Sequence, residues 1–162
     1  MVLFLLLVST LAAGFVFVAG VVEIDGESME PALQSGSRCV VYRVGDVRVA
    51  GWTLLERSVK VDDVVIAQFE GDAKRPATMV KRVVALGGEA LPASPWLQRF
   101  RLTKTAAGRP QTLPGLTCRQ AGCFVEPGFA FLVSDQLSGT LDSRQLGAVP
   151  LSALRGQVGG CL

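Results

Sequence analysis

The chain opens with an uncharged, apolar run over residues 1–22. Its most hydrophobic parts are residues 2–8 and 11–22. At about 1.5 Å per residue, a helix of this length would cross a hydrocarbon core of about 30 Å. We therefore predict one transmembrane anchor over residues 1–22. A cleaved signal peptide is the alternative, but such peptides usually have a basic start and a shorter apolar core, and neither is present here.

Beyond residue 22, short stretches of β-branched and aromatic residues are separated by turn residues, a pattern typical of strands. The predicted strands cover residues 39–44, 47–49, 64–69, 78–86 and 129–133, and a last β segment begins at residues 148–149. Residues 151–154 are predicted to form one helical turn, and residues 134–147 a polar loop. The pattern weakens over approximately residues 90–124, which predicts an inserted loop or small subdomain. The expected fold is therefore a mainly β domain over residues 23–162.

Composition narrows the chemistry that this domain can perform. The net charge is only +2 and no long Lys/Arg run is present, so nucleic acid is not an expected partner. The chain contains no histidine, which excludes a Ser-His-Asp or Cys-His arrangement and removes the commonest metal ligand. We expect no cofactor and no metal. A general base near neutral pH would have to be a perturbed lysine, cysteine or carboxylate.

Cys118 and Cys123 are separated by four residues. They could form a short disulfide loop, act as a redox pair, or remain unpaired thiols. A disulfide requires an oxidising compartment. A redox protein built on this pair would lack the usual Cys-x-x-Cys spacing.

Lys81 and Arg82 are adjacent cations inside the apolar strand predicted at residues 78–86. Neighbouring strand side chains point to opposite faces, so one of the two should face the interior. The alternative is an edge strand with both charges solvated. Burial would lower the pKa of a lysine and allow its neutral amine to act as a base to a serine. Lys81 is the best candidate base in the chain.

Four short stretches follow the apolar run in order. Residues 28–33 read Ser-Met-Glu-Pro-Ala-Leu, and residues 61–65 read Val-Asp-Asp-Val-Val. Residues 80–89 carry the Lys81–Arg82 pair, and residues 126–149 include Asp-Ser-Arg at 142–144. These stretches resemble, in the same order, the four boxes of the type I signal peptidases, serine peptidases with a Ser/Lys dyad. The first resembles the nucleophile box Ser-Met-x-Pro-Thr-Leu, the third the lysine box, and the fourth the last box, which ends Asp-Ser-Arg-x-x-Gly-x-Val in the family.

This resemblance implies that Ser28 is the nucleophile and Lys81 the general base. It implies that Thr140 presents a hydroxyl to the lysine, and that Asp142 and Arg144, together with Arg82, form a supporting ion-pair network. The residues in supporting roles are Met29, Pro31, Arg82, Thr140, Asp142 and Arg144.

The chain also departs from the family pattern. Gly26 stands where some members carry a hydroxyl that helps to bind the oxyanion. Asp62 replaces a glycine, and Ser-Asp-Gln-Leu at residues 134–137 replaces Gly-Asp-Asn-Arg.

The resemblance implies a signal-peptidase-like β catalytic domain with one N-terminal transmembrane helix. The implied activity is that of a type I (leader) signal peptidase, a membrane-anchored serine endopeptidase that cleaves signal peptides from exported preproteins through an acyl-enzyme. We expect a single-pass monomer in the plasma (inner) membrane, with its catalytic domain on the outer, periplasmic face. One alternative is a maturation peptidase for a dedicated precursor of the pilin, conjugation or organellar type. Another is a catalytically impaired homologue that acts as a binding subunit. The self-cleaving repressors also use serine and lysine, but they would require a DNA-binding domain where this chain has an apolar run.

Overall fold

The computed structural model describes residues 19–49, 52–69, 77–92, 113–119, 122–136 and 139–162. These residues form a mainly β structure, as predicted. The strands are β1 (Ala19–Glu23), β2 (Arg38–Tyr42), β3 (Gly45–Val49), β4 (Trp52–Arg57), β5 (Val64–Phe69), β6 (Ala77–Leu86), β7 (Leu116–Arg119), β8 (Gly122–Val125), β9 (Phe129–Val133), β10 (Val149–Pro150) and β11 (Leu154–Cys161). A short helix α1 (Ser143–Leu146) and a 3₁₀ turn (Leu151–Ala153) complete the described secondary structure.

Seven strands form one antiparallel sheet in the order β1-β2-β11-β5-β6-β9-β10. Two hairpins, β3–β4 and β7–β8, are separate two-stranded sheets. In the large sheet β6 is an interior strand, hydrogen-bonded to β5 on one side and to β9 on the other. The Lys81–Arg82 pair therefore lies in the middle of the sheet, which rules out the edge-strand alternative.

The strand alternation expected from the sequence determines which side chains are buried. In β5 every second residue is buried, as expected for a half-covered strand. One core cluster consists of Val65, Ala67, Phe69, Val83, Ala130, Leu132, Val149 and Leu154. A second cluster consists of Ala85, Leu116, Val125, Phe131, Val133 and Ala148. Because the second cluster includes residues of β7 and β8, the end of the predicted 90–124 insert packs against the main sheet.

The strands rich in β-branched and aromatic residues match the prediction closely, since β5 and β9 have the predicted bounds and β6 begins one residue earlier. The predicted polar loop at 134–147 contains α1 instead. Strand β11 was not predicted, because glycines at 156, 159 and 160 lower its β propensity. Gly156 and Gly159 are needed there, since a Cβ at either position would overlap Val41 or Tyr42 of β2.

The N-terminal prediction falls partly outside the described residues. Residues 1–18 of the predicted anchor are among those not described, and residues 19–22 lie in β1. Within the described ranges no helix has the length and apolar character needed to cross a bilayer.

Two disulfides connect neighbouring strands. Cys118 and Cys123, the pair singled out by spacing, are joined across the β7–β8 hairpin. Cys39 of β2 is joined to Cys161 of β11, a pairing that no local sequence pattern indicates. The partners are separated by 122 residues, so only the pairing of β2 with β11 brings them together.

Candidate active site

Ser28 lies in the loop between β1 and β2, a few residues beyond the first described strand. The loop is held by backbone hydrogen bonds from Glu30 N–H to Glu27 O and from Leu33 N–H to Met29 O. The Met29 side chain is only 1% exposed and anchors the loop to the protein interior. The Glu30–Pro31 peptide bond is cis. Met29 and Pro31 thus lie in the turn that carries the half-buried Ser28.

Lys81 is the buried member of the cation pair in β6, with 3% of the residue exposed. Its Nζ lies 3.1 Å from Ser28 Oγ and donates a hydrogen bond to it, although the two residues are 53 positions apart. Burial lowers the pKa of Lys81 below the ordinary value of 10.5; the Asp142 carboxylate opposes this shift and the Arg144 guanidinium adds to it. The result is a serine hydroxyl in contact with an amine whose neutral form is favoured by its surroundings.

Arg82 points to the other face of β6 and pairs with Asp135. Its Nε and Nη2 donate to the two Asp135 carboxylate oxygens at 2.8 and 2.6 Å, and its Nη1 donates to the Asp62 carbonyl oxygen at 2.8 Å. The hydrogen bonds that Arg82 donates to Asp135 raise the pKa of Arg82 and burial lowers it, with a net rise. We expected Arg82 to form an ion-pair network with Asp142 and Arg144. Its partner is Asp135 instead, because strand alternation directs the Arg82 side chain to the opposite face of β6.

Asp142 and Arg144 form a fully buried ion pair whose side chains are both 0% exposed. Arg144 Nη2 donates to Asp142 Oδ2 at 2.7 Å, and Nε donates to Oδ1 at 2.8 Å. Asp142 also caps α1 and accepts a hydrogen bond from the Ser134 N–H at 2.9 Å. This one carboxylate therefore joins α1 to the residue that follows β9.

Comparison with known proteins identifies the family of the chain. The profile of the family described as "Signal peptidase, peptidase S26" matches residues 1–94, more than half of the chain. The chain belongs to this signal peptidase family. That membership supports a peptidase role for the protein.

Two curated relatives share this resemblance at low identity. The chain is 27% identical over 134 residues to "Mitochondrial inner membrane protease subunit 1" of Schizosaccharomyces pombe, covering 83% of this chain and 67% of the relative. It is 26% identical over 147 residues to the protein of the same name from Mus musculus, covering 89% and 69%. Both relatives are named as subunits of a mitochondrial inner membrane protease.

Thr140 occupies the family's hydroxyl position, but its hydroxyl is engaged elsewhere. Thr140 Oγ1 donates to the Gln136 carbonyl oxygen at 3.0 Å and accepts a hydrogen bond from Arg144 Nη2 at 3.3 Å. Among the described residues no hydrogen bond joins Thr140 to Lys81. Thr140 therefore supports Arg144 and the loop before α1 rather than contacting the amine.

Gly26 and Asp62 show how this chain accommodates two departures from the family pattern. The Gly26 N–H donates to Ser35 Oγ at 3.2 Å, so it is already engaged and does not offer a second oxyanion donor. Among the described residues the Ser28 N–H has no hydrogen-bond partner and can serve that purpose. Asp62 has a φ of 73°, a left-handed conformation that favours glycine and that aspartate tolerates better than most residues.

The described residues contain no group of three or more His, Cys, Asp or Glu side chains that could hold a metal ion.

Proposed function

We propose that the protein is a membrane-anchored serine endopeptidase that cleaves signal peptides from exported preproteins. The observation that carries the proposal is the 3.1 Å contact between Ser28 Oγ and the buried Lys81 Nζ. A serine is a weak nucleophile unless an adjacent base removes its proton, and a desolvated lysine is such a base. Family membership supplies independent support for peptidase chemistry.

In the proposed reaction, the neutral Lys81 amine accepts the Ser28 hydroxyl proton while Oγ attacks the scissile carbonyl carbon. The resulting ammonium then donates this proton to the nitrogen of the leaving amine as the peptide bond breaks. The acyl-enzyme ester is hydrolysed when Lys81 takes a proton from the attacking water and returns it to Ser28 Oγ. The Ser28 N–H would donate to the oxyanion, an interaction whose removal in serine peptidases typically costs about 10²–10³ in rate.

Asp142 and Arg144 would support this chemistry through charge. Asp142 favours the ammonium that forms during the reaction, while Arg144 disfavours it. Because the two side chains are paired and buried, their fields at Lys81 are fixed before substrate binds. Preorganised charges of this kind act without the cost of reorienting solvent.

The location proposed for this chemistry is the surface of a membrane. The apolar residues 1–18 lead directly into β1, and Ser28 follows only five residues after β1 ends. A nucleophile so close to the predicted anchor would meet the cleavage site of a membrane-inserted signal peptide. The two disulfides support an oxidising compartment such as the outer face of a plasma membrane. We propose that the chain acts there as a monomer.

A second candidate is a maturation peptidase for a dedicated precursor. The observation that favours it is that both relatives are named as subunits of a mitochondrial inner membrane protease. Such an enzyme would use the same serine and lysine but would cleave one precursor in preference to general preproteins.

The proposal is tested with the full chain in detergent and with a preprotein that has small residues before the cleavage site. Ser28→Ala and Lys81→Ala should each abolish cleavage, because each removes one half of the reacting pair. Lys60→Ala is a matched control, since Lys60 is an exposed lysine. Cleavage by the Lys81→Ala variant would refute the assignment, and cleavage of one precursor alone would favour the dedicated peptidase.

A further inference from the structure

Ser134 carries a buried hydroxyl that nothing in the proposed mechanism has used. The residue is 3% exposed, and its Oγ has no hydrogen-bond partner among the described residues. The large majority of buried polar side-chain atoms have a partner, so an exception calls for an explanation. Ser134 stands where the family pattern has glycine, so its hydroxyl is a feature of this chain.

The strand register places Ser134 beside Lys81. In the β6–β9 pair, Val83 lies opposite Leu132 and Arg82 lies opposite Val133. Continuing this register by one residue brings Ser134 opposite Lys81. Residues directly opposite in an antiparallel pair share a face of the sheet, with Cβ atoms about 4.5–5.5 Å apart.

The Arg82–Asp135 contact, on the opposite face of β6, is consistent with Ser134 lying on the Lys81 face. Arg82 binds Asp135, the residue after Ser134, and successive side chains of an extended segment point to opposite faces. Asp135 on the Arg82 face therefore leaves Ser134 on the Lys81 face. The Val83–Leu132 pair, two residues along each strand, lies on that same face within one core cluster.

The backbone around Ser134 is tied to the same site. Its N–H donates to Asp142 Oδ2 at 2.9 Å, and the N–H of Gln136 donates to the Ser28 carbonyl oxygen at 3.1 Å. The segment 134–136 thus connects the carboxylate near the base with the loop that carries the nucleophile. No hydrogen bond joins the Ser134 hydroxyl to the amine among the described residues, so the Ser134 side chain has to turn toward Lys81 to make one.

We propose that Ser134 is a positioning residue for Lys81, an inference that rests on the proposed function. Its Oγ accepts a hydrogen bond from one N–H of the amine and so directs the nitrogen lone pair toward the Ser28 proton. It also stabilises the ammonium that forms when the proton is transferred. Ser134 thereby takes the role that the family resemblance gives to Thr140.

The direct test is an NMR titration of the Lys81 ε-carbon in the full chain in detergent micelles. The chain has four lysines, so Lys81→Ala identifies the signal. Ser134→Ala should lower the pKa of Lys81 by about one pH unit, because the charged amine loses an acceptor worth roughly a tenfold change in its protonation equilibrium. Thr140→Val should leave the pKa of Lys81 unchanged. An unchanged titration in Ser134→Ala, or a shift in Thr140→Val of the same size, would overturn the proposal.

Steady-state kinetics provide a second measurement. A residue with only a structural role would not shift the pH dependence of kcat. Ser134→Ala should lower kcat about tenfold with little change in KM, and should move the acid limb of the kcat profile to lower pH. Ser134→Thr keeps the hydroxyl and should restore the wild-type limb. Circular dichroism confirms folding, and Ser134→Gly replaces Ser134→Ala if the alanine variant does not fold.

The two tests separate this inference from the proposed function. The titration needs no substrate, so it decides the Ser134 contact even if no preprotein is cleaved. Cleavage by wild type together with an unshifted titration in Ser134→Ala would overturn the inference and leave the proposed function intact.

Discussion

Arg82 holds Asp135 through two parallel hydrogen bonds, on the face of β6 opposite the one that carries Lys81. Their side chains are 28% and 18% exposed, so the pair is only partly screened by solvent. Paired hydrogen bonds from a guanidinium fix both the distance and the direction of a carboxylate. This contact therefore fixes the chain immediately after β9, the same segment that contacts the Ser28 loop.

Arg82→Lys is expected to lower both stability and activity, because lysine cannot make the bidentate contact with the Asp135 carboxylate. We expect a loss of about 1–2 kcal/mol in the free energy of unfolding and a measurable fall in kcat. Urea unfolding and preprotein cleavage measure the two effects. Arg38→Lys is the matched control, since the Arg38–Glu23 pair is 3.7 Å long and exposed. Equal effects in both variants would contradict a special role for the Arg82 pair.

The pH dependence of cleavage should report the protonation of Lys81. Only the neutral amine can accept the Ser28 proton, and burial lowers the pKa of Lys81 below 10.5. We therefore expect kcat/KM of the free enzyme to rise with pH as one proton is lost, and to level off at a pH below 10.5. Steady-state kinetics across the pH range check this. A rate that does not depend on pH, or one that rises only near 10.5, would contradict the assignment of Lys81 as the base.

Replacing the base should stabilise the protein while abolishing its activity. Below the lowered pKa of Lys81 the folded protein must bury an ammonium, and Lys81→Met removes that cost. We expect a gain of about 1–3 kcal/mol in the free energy of unfolding at such a pH. Between the lowered pKa and 10.5 the unfolded chain binds more protons than the folded one, so wild-type stability rises with pH in this window.

Urea unfolding at several pH values measures this effect. Lys81→Met should lack the rise in stability that wild type shows, whereas Lys60→Met, a change at an exposed lysine, should retain it. A destabilised Lys81→Met variant would show that the amine is a net stabilising group.

Asp142→Asn should strongly destabilise the fold, because it leaves the Arg144 guanidinium buried opposite a neutral amide. Both side chains are 0% exposed, and breaking a buried pair by removing one partner typically costs about 3–5 kcal/mol. Urea unfolding measures this cost. Asp25→Asn, at an exposed aspartate, should change stability by no more than about 0.5 kcal/mol. A loss below about 1 kcal/mol for Asp142→Asn would argue against a structural role for the pair.

The two disulfides should contribute unequally to stability. A crosslink restricts the unfolded chain more when it closes a longer loop, and the sequence separations are 122 and 5 residues. In the chain-entropy description, replacing Cys39 and Cys161 by serine costs about 5 kcal/mol, and replacing Cys118 and Cys123 costs about 2 kcal/mol. Urea unfolding of the two double variants compares them. The reverse order would show that the short hairpin crosslink contributes mainly in the folded state.

Local patterns in the sequence were sufficient to predict the central strands. Runs of β-branched and aromatic residues predicted β5, β6 and β9, and a lysine within the apolar β6 pattern made Lys81 the candidate base. The absence of histidine made that argument stronger, because it left few other bases. These features depend on residues close together in the chain.

Contacts between residues far apart in the chain could not be predicted from such local patterns. The partner of Arg82 depends on the β6–β9 register, which no local pattern specifies. The Cys39–Cys161 link depends on the pairing of β11, a glycine-rich strand with little β propensity. Ser134 was noted only as a departure from the family pattern, and the signal for its importance is a buried hydroxyl, which becomes visible only in the folded chain.

The alternation of Lys81 and Arg82 in β6 has a consequence for how this chain can change during evolution. Inserting or deleting one residue within the strand, upstream of the pair, would exchange the faces of the two cations. After a deletion, a guanidinium, which never loses its proton near neutral pH, would lie against the nucleophile, and after either change the serine would have no base. Changes of two residues would keep the lysine on its face of the sheet but move it about 6.6 Å along the strand, out of hydrogen-bond reach of Ser28. The length of β6 before the pair should therefore not vary.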